Sequence, residues 1–458
     1  MSEEVVAKSS APRAMSGGLT KRLVRGSAFE FAGYGSAQAI RLISNLVLTR
    51  MLFPEAFGLA ALVNILNHAL AMLSDVGLPS MIIQSEHGDD ERFLNTAFTW
   101  QVGRSVVLWV IACAFAYPMS LIYDEPELLG LIPFGSLAII ILGLRSTAYY
   151  TKRRQLDVLP LMVIDVLAQV ASVIAMVVWA EFDRSVWALL GGSIANAIVA
   201  VGGSHLLKVG YRNRFEWDKG HARSMMAFGK WVAGSSFLTF VSQQGDRLLL
   251  GRMLGAGTLG IYSTAAFLSA ALGEATGRIT HGVFFPAYSQ VKSQGIPKLR
   301  DVFYRTRLAV DAAVIPGLAA LCVLGPAVVH ILYDSRYEEA GWMLRVLVVR
   351  VALSALTEPF QFCLLAIGES RYGFYLNLSR TVALLVSVPL AFARFGVEGL
   401  VWGVALSEVP AFIVVYWGFV RHGLASPLHD ARVPFFAAAG FAIGGLLLAA
   451  LRSFGIAP

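Results

Sequence analysis

The chain has 458 residues, 56% of them hydrophobic and only 15% charged, with a mean hydropathy of +0.64 and a net charge of +7. Soluble globular chains carry about 25% charged residues, so one soluble core of this length is excluded and many lipid-facing helices are expected. The basic surplus is not a nucleic-acid signature, because a membrane protein collects Lys and Arg in its cytoplasmic loops.

The first 18 residues are rich in Ser, Ala and Gly and contain no apolar run. They read as a disordered tail (1–25) rather than a signal peptide. Apolar runs then recur, each near the roughly 20 residues that cross about 30 Å of hydrocarbon. They fall near 28–52, 56–78, 93–117, 128–150, 158–180, 185–207, 226–250, 257–281, 305–332, 341–367, 372–393 and 398–420, with a thirteenth at 433–452. Only helices or closed barrels satisfy the backbone in lipid, and these runs are too long and uniformly apolar for barrel strands. An all-α polytopic membrane protein is therefore expected. With the N-terminus placed in the cytoplasm, Lys and Arg favour the inner segments about three to one, a clear positive-inside bias. No connection leaves room for a soluble catalytic domain. Cys113, Cys322 and Cys363 lie within apolar runs without metal-ligand spacing, so no metal, cofactor or disulfide framework is expected.

Two stretches echo one another. "LTRMLFPEAFG" follows the first span and "LGRMLGAGTLG" the seventh; Arg50 matches Arg252 and Gly58 matches Gly260, a constant shift of 202 residues. "LIYDEPELLG" after span three is likewise echoed by "ILYDSRYEEAG" after span nine. The shift contains six spans, and an even number of crossings restores orientation. The halves are therefore expected to be parallel repeats about an axis along the membrane normal. This gives a six-helix lobe at 26–207, a basic cytoplasmic linker at 208–225, a second six-helix lobe at 226–421 and an additional segment at 433–452.

The ordered set "TRMLFPEAFG", "DVGLPSMIIQ", "LNTAFTW", "YYTKRRQL", "GDRLLLGRMLGAGTLGIYS" and "VFFPAYSQVKSQ" resembles the polysaccharide transporter family, the Wzx-type lipid-linked oligosaccharide flippases. These belong to the superfamily that also holds the multidrug and toxin exporters. The resemblance covers most of the chain and departs at the thirteenth segment, since relatives usually show 12 or 14 spans. It implies a two-lobed bundle in the bacterial inner membrane. The bundle would move undecaprenyl-diphosphate-linked sugars to the periplasmic leaflet by alternating access, for exopolysaccharide, capsule or O-antigen synthesis. Membrane lipids, the polysaccharide polymerase and the export machinery are the implied partners. A drug or cation exporter of the same superfamily is the main alternative, followed by a membrane polymerase or ligase. The chain lacks Walker A, Gly-x-Ser-x-Gly and His-Glu-x-x-His motifs, so no catalytic residue is assigned.

Charges inside a span cost about 2.5–3.5 kcal/mol each on insertion scales and therefore mark function or pairing. Tyr34, Gln38, Arg41, Asn45 and Thr49 are spaced 4, 3, 4 and 4, one face of a helix. Arg41 suits a diphosphate, which a guanidinium grips bidentately; pairing with a carboxylate is the alternative. At the 202 shift Arg41 meets Gln243 and Asn45 meets Arg247, so the lobes do not duplicate their charges. Glu274 and Arg278 stand at i and i+4, and either neutralise one another or leave Arg278 facing the cavity. Arg350 joins the expected polar cavity, and Pro359 marks a bending point in its helix. Arg145 and Arg380 are expected to reach interfaces. Asp165, Glu274, Asp311 and Glu358 are the candidate ion-coupling groups, with Glu408 beside them.

Overall fold

The structure, a computed structural model, describes residues 17–74, 78, 81–82, 88, 90–280 and 284–456. The side chains of 17–32, 34, 73, 224–238, 272, 275–276 and 278–279 fall outside that description. Among the described residues every regular element is helical. The N-terminal helices are α1 (Gly17–Met51), α2 (Pro54–Leu73), α3 (Glu91–Tyr123), α4 (Leu128–Gly135), α5 (Leu137–Gly143), α6 (Ala148–Arg154), α7 (Leu159–Phe182) and α8 (Val186–His205). The C-terminal helices are α9 (Lys219–Ile279), α10 (Phe285–Val291), α11 (Ile296–Leu332), α12 (Ala340–Ala366), α13 (Arg371–Leu406), α14 (Glu408–Arg421), α15 (Pro427–Asp430) and α16 (Arg432–Ser453). Nine described helical stretches are long and apolar enough to cross a membrane, and a tenth if the bent α4–α6 run counts as one.

Two of these elements are hairpins. α9 turns at Gly255 (φ +78°) and α13 at Gly396 (φ +60°), backbone conformations that only glycine adopts without strain. Across the second turn, the Ser387 hydroxyl donates to the Gly403 carbonyl at 2.9 Å. α1 begins at Gly17, inside the stretch expected to be disordered, because Leu, Lys and Arg there are good helix formers. α9 likewise begins at Lys219, inside the expected 208–225 linker. The single span expected at 128–150 is broken into α4 and α5, and then bends by 59° into α6. Pro133 removes a helix hydrogen bond there. Two carbonyls at the break find side-chain donors: Trp109 Nε1 reaches Pro133 O at 3.0 Å, and Asn67 Nδ2 reaches Gly135 O at 3.4 Å. In lipid such a break needs internal partners of this kind. α12 continues as helix through Pro359.

The helices place the α1–α2 turn and the Gly255 turn together at one end of the bundle, the turn end. There the halves interlock reciprocally. A Cβ on Gly58 would collide with the Ala256 carbonyl, and one on Gly260 with the Pro54 carbonyl; Ala256 is Pro54 shifted by 202. Tyr123 Oη donates to Leu248 O at 3.4 Å, and its echo Tyr333 donates to Asn45 Oδ1 at 2.6 Å. Arg336 donates to the carbonyls of Thr49 and Arg50 at 3.1 and 3.2 Å and lies 4.9 Å over the Phe53 ring. Arg50 and Arg252, the matched arginines of these turns, are themselves exposed. One continuous apolar core here joins both halves, including Leu52, Leu62, Leu259 and Tyr337.

At the opposite end, the described cores stay separate. Leu78, Ile82, Phe93 and Leu94 belong to one; Phe303, Phe360, Tyr372 and Phe419 belong to the other. The connection after α8 runs along this end as a strap bound to the N-terminal helices. Asn95 accepts from Arg214 N and donates to Glu216, each at 3.0 Å. Thr99 and Thr96 accept from Glu216 N and Asp218 N at 3.0 and 3.1 Å. Trp100 stacks on Trp217 with centroids 5.8 Å apart. α16 packs on α11 where Gly440 and Gly444 lie against Pro316 and Ala320, small residues that permit close helix approach. The rest of α16 is largely exposed.

Candidate functional site

A cavity of about 410 Å³ opens among α9, α12, α13 and α14. Its wall is built on charge. Arg350 Nη1 donates to Asp246 Oδ2 at 2.8 Å and its Nε to Glu408 Oε1 at 3.4 Å. Arg380 grips the other oxygen of Glu408 at 2.6 Å. Tyr262 Oη donates to Asp246 Oδ2 at 2.7 Å. Asp246 and Glu408 are 4% and 2% exposed, so these ions are desolvated and held by mutual pairing rather than by water. Gln243, Arg247, Glu274 and Glu358 also line the cavity. Arg247 Nη1 donates to Gln244 Oε1 at 3.2 Å, while the buried Glu358 Oε2 has no hydrogen-bond partner among the described residues.

The N-terminal half holds a cavity of about 350 Å³ walled mainly by apolar side chains, with His68, Gln101 and Arg104. Arg104 is committed to its own helix bundle. Its Nη2 donates to Ala71 O at 2.8 Å and its Nε to Ser74 Oγ at 3.0 Å.

The polar face of α1 lines neither cavity. Gln38 Oε1 and Arg41 Nε are buried with no hydrogen-bond partner among the described residues, whereas Asn45 is engaged by Tyr333. The side chains of Tyr34 and Arg278 lie outside the described residues. The structure thus brings Gln243, Arg247, Arg350, Glu274 and Glu358 to one cavity and keeps Gln38 and Arg41 apart from it. Asp165 sits on α7, exposed, accepting from Tyr149 Oη at 2.8 Å; Arg145 stacks 4.6 Å above that Tyr149 ring. Asp311 pairs with Arg307 Nε at 2.9 Å, and Arg307 also reaches Asp430 at 2.7 Å and lies 4.5 Å over Phe360. None of Arg307, Asp311 and Asp430 lines the cavity. Arg380, expected at an interface, is instead a wall of the cavity, because Glu408 offers a partner in the low-dielectric interior. Glu408, named beside the ion-coupling candidates, and Tyr262, which drew no site assignment, carry the network. An intramembrane carboxylate flags Glu408, whereas nothing in the local pattern flags Tyr262. Among the described residues no cluster of His, Cys, Asp and Glu is arranged to hold a metal.

Comparison with known proteins identifies this architecture. Residues 47–341 match the family model described as "Polysaccharide biosynthesis protein". The chain is 23% identical over 386 residues to the lipopolysaccharide biosynthesis protein WzxC of Escherichia coli K12, covering 84% of this chain and 78% of that protein. It is 22% identical over 364 residues to the succinoglycan biosynthesis transport protein ExoT of Rhizobium meliloti, covering 79% and 73%. Among solved structures, the lipid II flippase MurJ in an inward closed conformation shares its fold with a TM-score of 0.68 at 10% identity, covering 93% of this chain and 99% of that one. A multidrug resistance MATE family transporter in an inward-facing conformation follows with a TM-score of 0.64 at 15% identity, covering 85% and 94%. With a matched segment spanning well over half its length and the fold of these membrane transporters, the chain belongs to the polysaccharide biosynthesis protein family and is a multi-pass membrane protein.

Proposed function

We propose that the chain is a flippase that carries polyprenyl-diphosphate-linked oligosaccharide units across the bacterial plasma membrane by alternating access. The observation that carries this reading is the arrangement of the two halves. They are clasped at the turn end and keep separate cores at the strap end, with unpartnered Arg41 and Gln38 atoms buried on α1. A buried guanidinium nitrogen without a partner costs on the order of 1–3 kcal/mol or more, a penalty that an arriving diphosphate would remove. The names of the WzxC and ExoT relatives support a polysaccharide precursor as the cargo.

In this reading there are twelve spans and a thirteenth, with the lobes at 26–207 and 226–421 and the strap end in the cytoplasm. The diphosphate is drawn by Arg41, with Tyr34, Gln38 and Asn45 on the same helix face. Gln243, Arg247 and Arg278 are the ligands this reading assigns to the other lobe. Arg350, set between two carboxylates, orders that wall. Glu358 and Glu274 are the coupling groups for an ion or proton, and Asp165 and Asp311 serve more remotely. The polysaccharide polymerase and export machinery receive the product. A cation or drug exporter is the second reading, favoured by the carboxylates Asp246, Glu274, Glu358 and Glu408 around one cavity.

The test is Arg41→Ala in a strain that depends on this chain for polysaccharide. Polymer export should fall by at least tenfold while the protein remains in the membrane, and lipid-linked units should accumulate on the cytoplasmic leaflet. Wild-type polymer yield from that strain would rule out Arg41 as the diphosphate ligand. Periplasmic arrival of the units without the protein would remove the flippase reading itself.

A further inference from the structure

A third cavity, of about 320 Å³, lies at the strap end between the start of α11 and the α14–α16 connection. It is apart from the charged cavity and the α1 face, and its wall is basic. Arg300, Arg305 and Arg432 line it, together with His429 and Ser426. Its one carboxylate, Asp301, is shared by Arg305 at 2.9 Å and Lys298 at 3.9 Å. Asp430, next in sequence to His429, is already taken by Arg307, Tyr304 and Tyr416. Arg300 and Arg432 have no carboxylate within ion-pair distance among the described residues.

The floor of the crevice is fixed. Tyr304 accepts from Ser426 N at 2.8 Å and packs against the His429 ring at 4.7 Å with a 31° tilt, while His429 Nδ1 is hydrogen-bonded to Ser426 Oγ at 2.8 Å. Large apolar side chains stand exposed beside the arginines: Leu428 at 78% and Phe435 at 74%. Phe435 follows Arg432 by one turn of α16, the least buried of the candidate spans among the described residues. Guanidinium groups level with bare Leu and Phe are the arrangement of a headgroup zone, where acyl chains meet phosphate.

We propose that this crevice binds the phosphate of an anionic phospholipid, held by Arg300 and Arg432, with the acyl chains lying along Leu428, Phe435 and α16. The same guanidiniums would hold a soluble phosphate, but only a lipid also covers the adjoining apolar side chains. The site thereby gives the thirteenth segment a role: α16 supplies both an arginine and the acyl-chain wall.

Native mass spectrometry of the detergent-solubilised full chain tests this, with phosphatidylglycerol and phosphatidylcholine titrated separately. Phosphatidylglycerol should be retained preferentially. Arg300→Gln and Arg432→Gln should each weaken it on the order of fivefold, and Arg300→Lys should recover most of the loss. Both residues are exposed, so the variants should elute as monodisperse species like the wild type. Equal retention of the two lipids, or an unchanged Arg300→Gln/Arg432→Gln double variant, overturns the proposal. Displacement of the lipid by millimolar inorganic phosphate also overturns it, assigning the crevice to a soluble anion. None of these readouts depends on transport.

Discussion

The two halves of the chain copy one another at the turn end and part company inside the membrane. At the turn end, Gly58 meets Ala256 as Gly260 meets Pro54, and Tyr123 reaches across the halves as Tyr333 does. In the interior, the C-terminal cavity is walled by Asp246, Glu408, Arg350 and Arg380, while the N-terminal one is mainly apolar with a single committed arginine. Shape is shared between the halves and charge is not. Packing geometry is what a repeat must keep for the halves to fit. Charge is free to diverge where the cargo is itself lopsided.

The interior side of this contrast yields the largest expected effect. Arg350→Ala removes the ion-pair partner of Asp246, which keeps only hydrogen bonds from Tyr262 and the Arg247 N–H, and loosens Glu408; removing one member of a buried pair costs about 3–5 kcal/mol. The purified variant should melt far below wild type. Replacing the pair together, Arg350→Met with Asp246→Leu, should recover much of that loss while leaving transport defective. If Arg350→Ala melts like wild type, the network is not a structural element of the C-terminal half.

The turn end predicts equality instead of asymmetry. Gly58→Val and Gly260→Val each force a side chain into the backbone of the other half. Overpacking of this kind costs about 1–3 kcal/mol, and the two variants should lose melting temperature by closely similar amounts. A large difference between them would break the symmetry claimed for this end.

The smallest effect concerns pH. The Asp334 carboxyl is held below the usual range, chiefly by hydrogen bonds from Arg336. A carboxylate whose folded pKa is depressed adds stability above its unfolded value, and that stability is lost as pH falls through the folded one. Wild type should therefore lose melting temperature on acidification below about pH 4, and Asp334→Asn should flatten that part of the profile. Asp334 is partly exposed, so the shift should be modest. An identical profile in both proteins would remove Asp334 from the clasp.

Much of the fold was legible because lipid enforces it: apolar length, positive-inside bias and a 202-residue echo are local or countable features. The polar face of α1 was legible through helical spacing alone. The charged wall was not, because its pairs join distant parts of the chain. Asp246 and Arg350 are 104 positions apart, and nothing near either residue names the other. Tyr262 stood only within a stretch that carries the family resemblance, yet its hydroxyl closes the network from the far arm of the α9 hairpin. The break at α4–α5 was also hidden, since Pro133 announces a kink but not that Asn67 and Trp109 tolerate it. "LNTAFTW" carried the family resemblance, and its Asn95, Thr96, Thr99 and Trp100 prove to fasten the strap rather than touch either cavity.

The reciprocal contact of Gly58 and Gly260 has a genealogical meaning. In an isologous interface residue i touches j and j touches i, which is the signature of two identical subunits across a twofold axis. This chain carries that signature within one polypeptide, as a fused homodimer would. Identical subunits must place any arginine twice, once on each side of the axis. Covalent fusion lifts that restriction, so Arg41 can stand opposite Gln243 and Arg247 opposite Asn45. The glycine contact keeps the symmetric pattern, and the residues a few turns away depart from it.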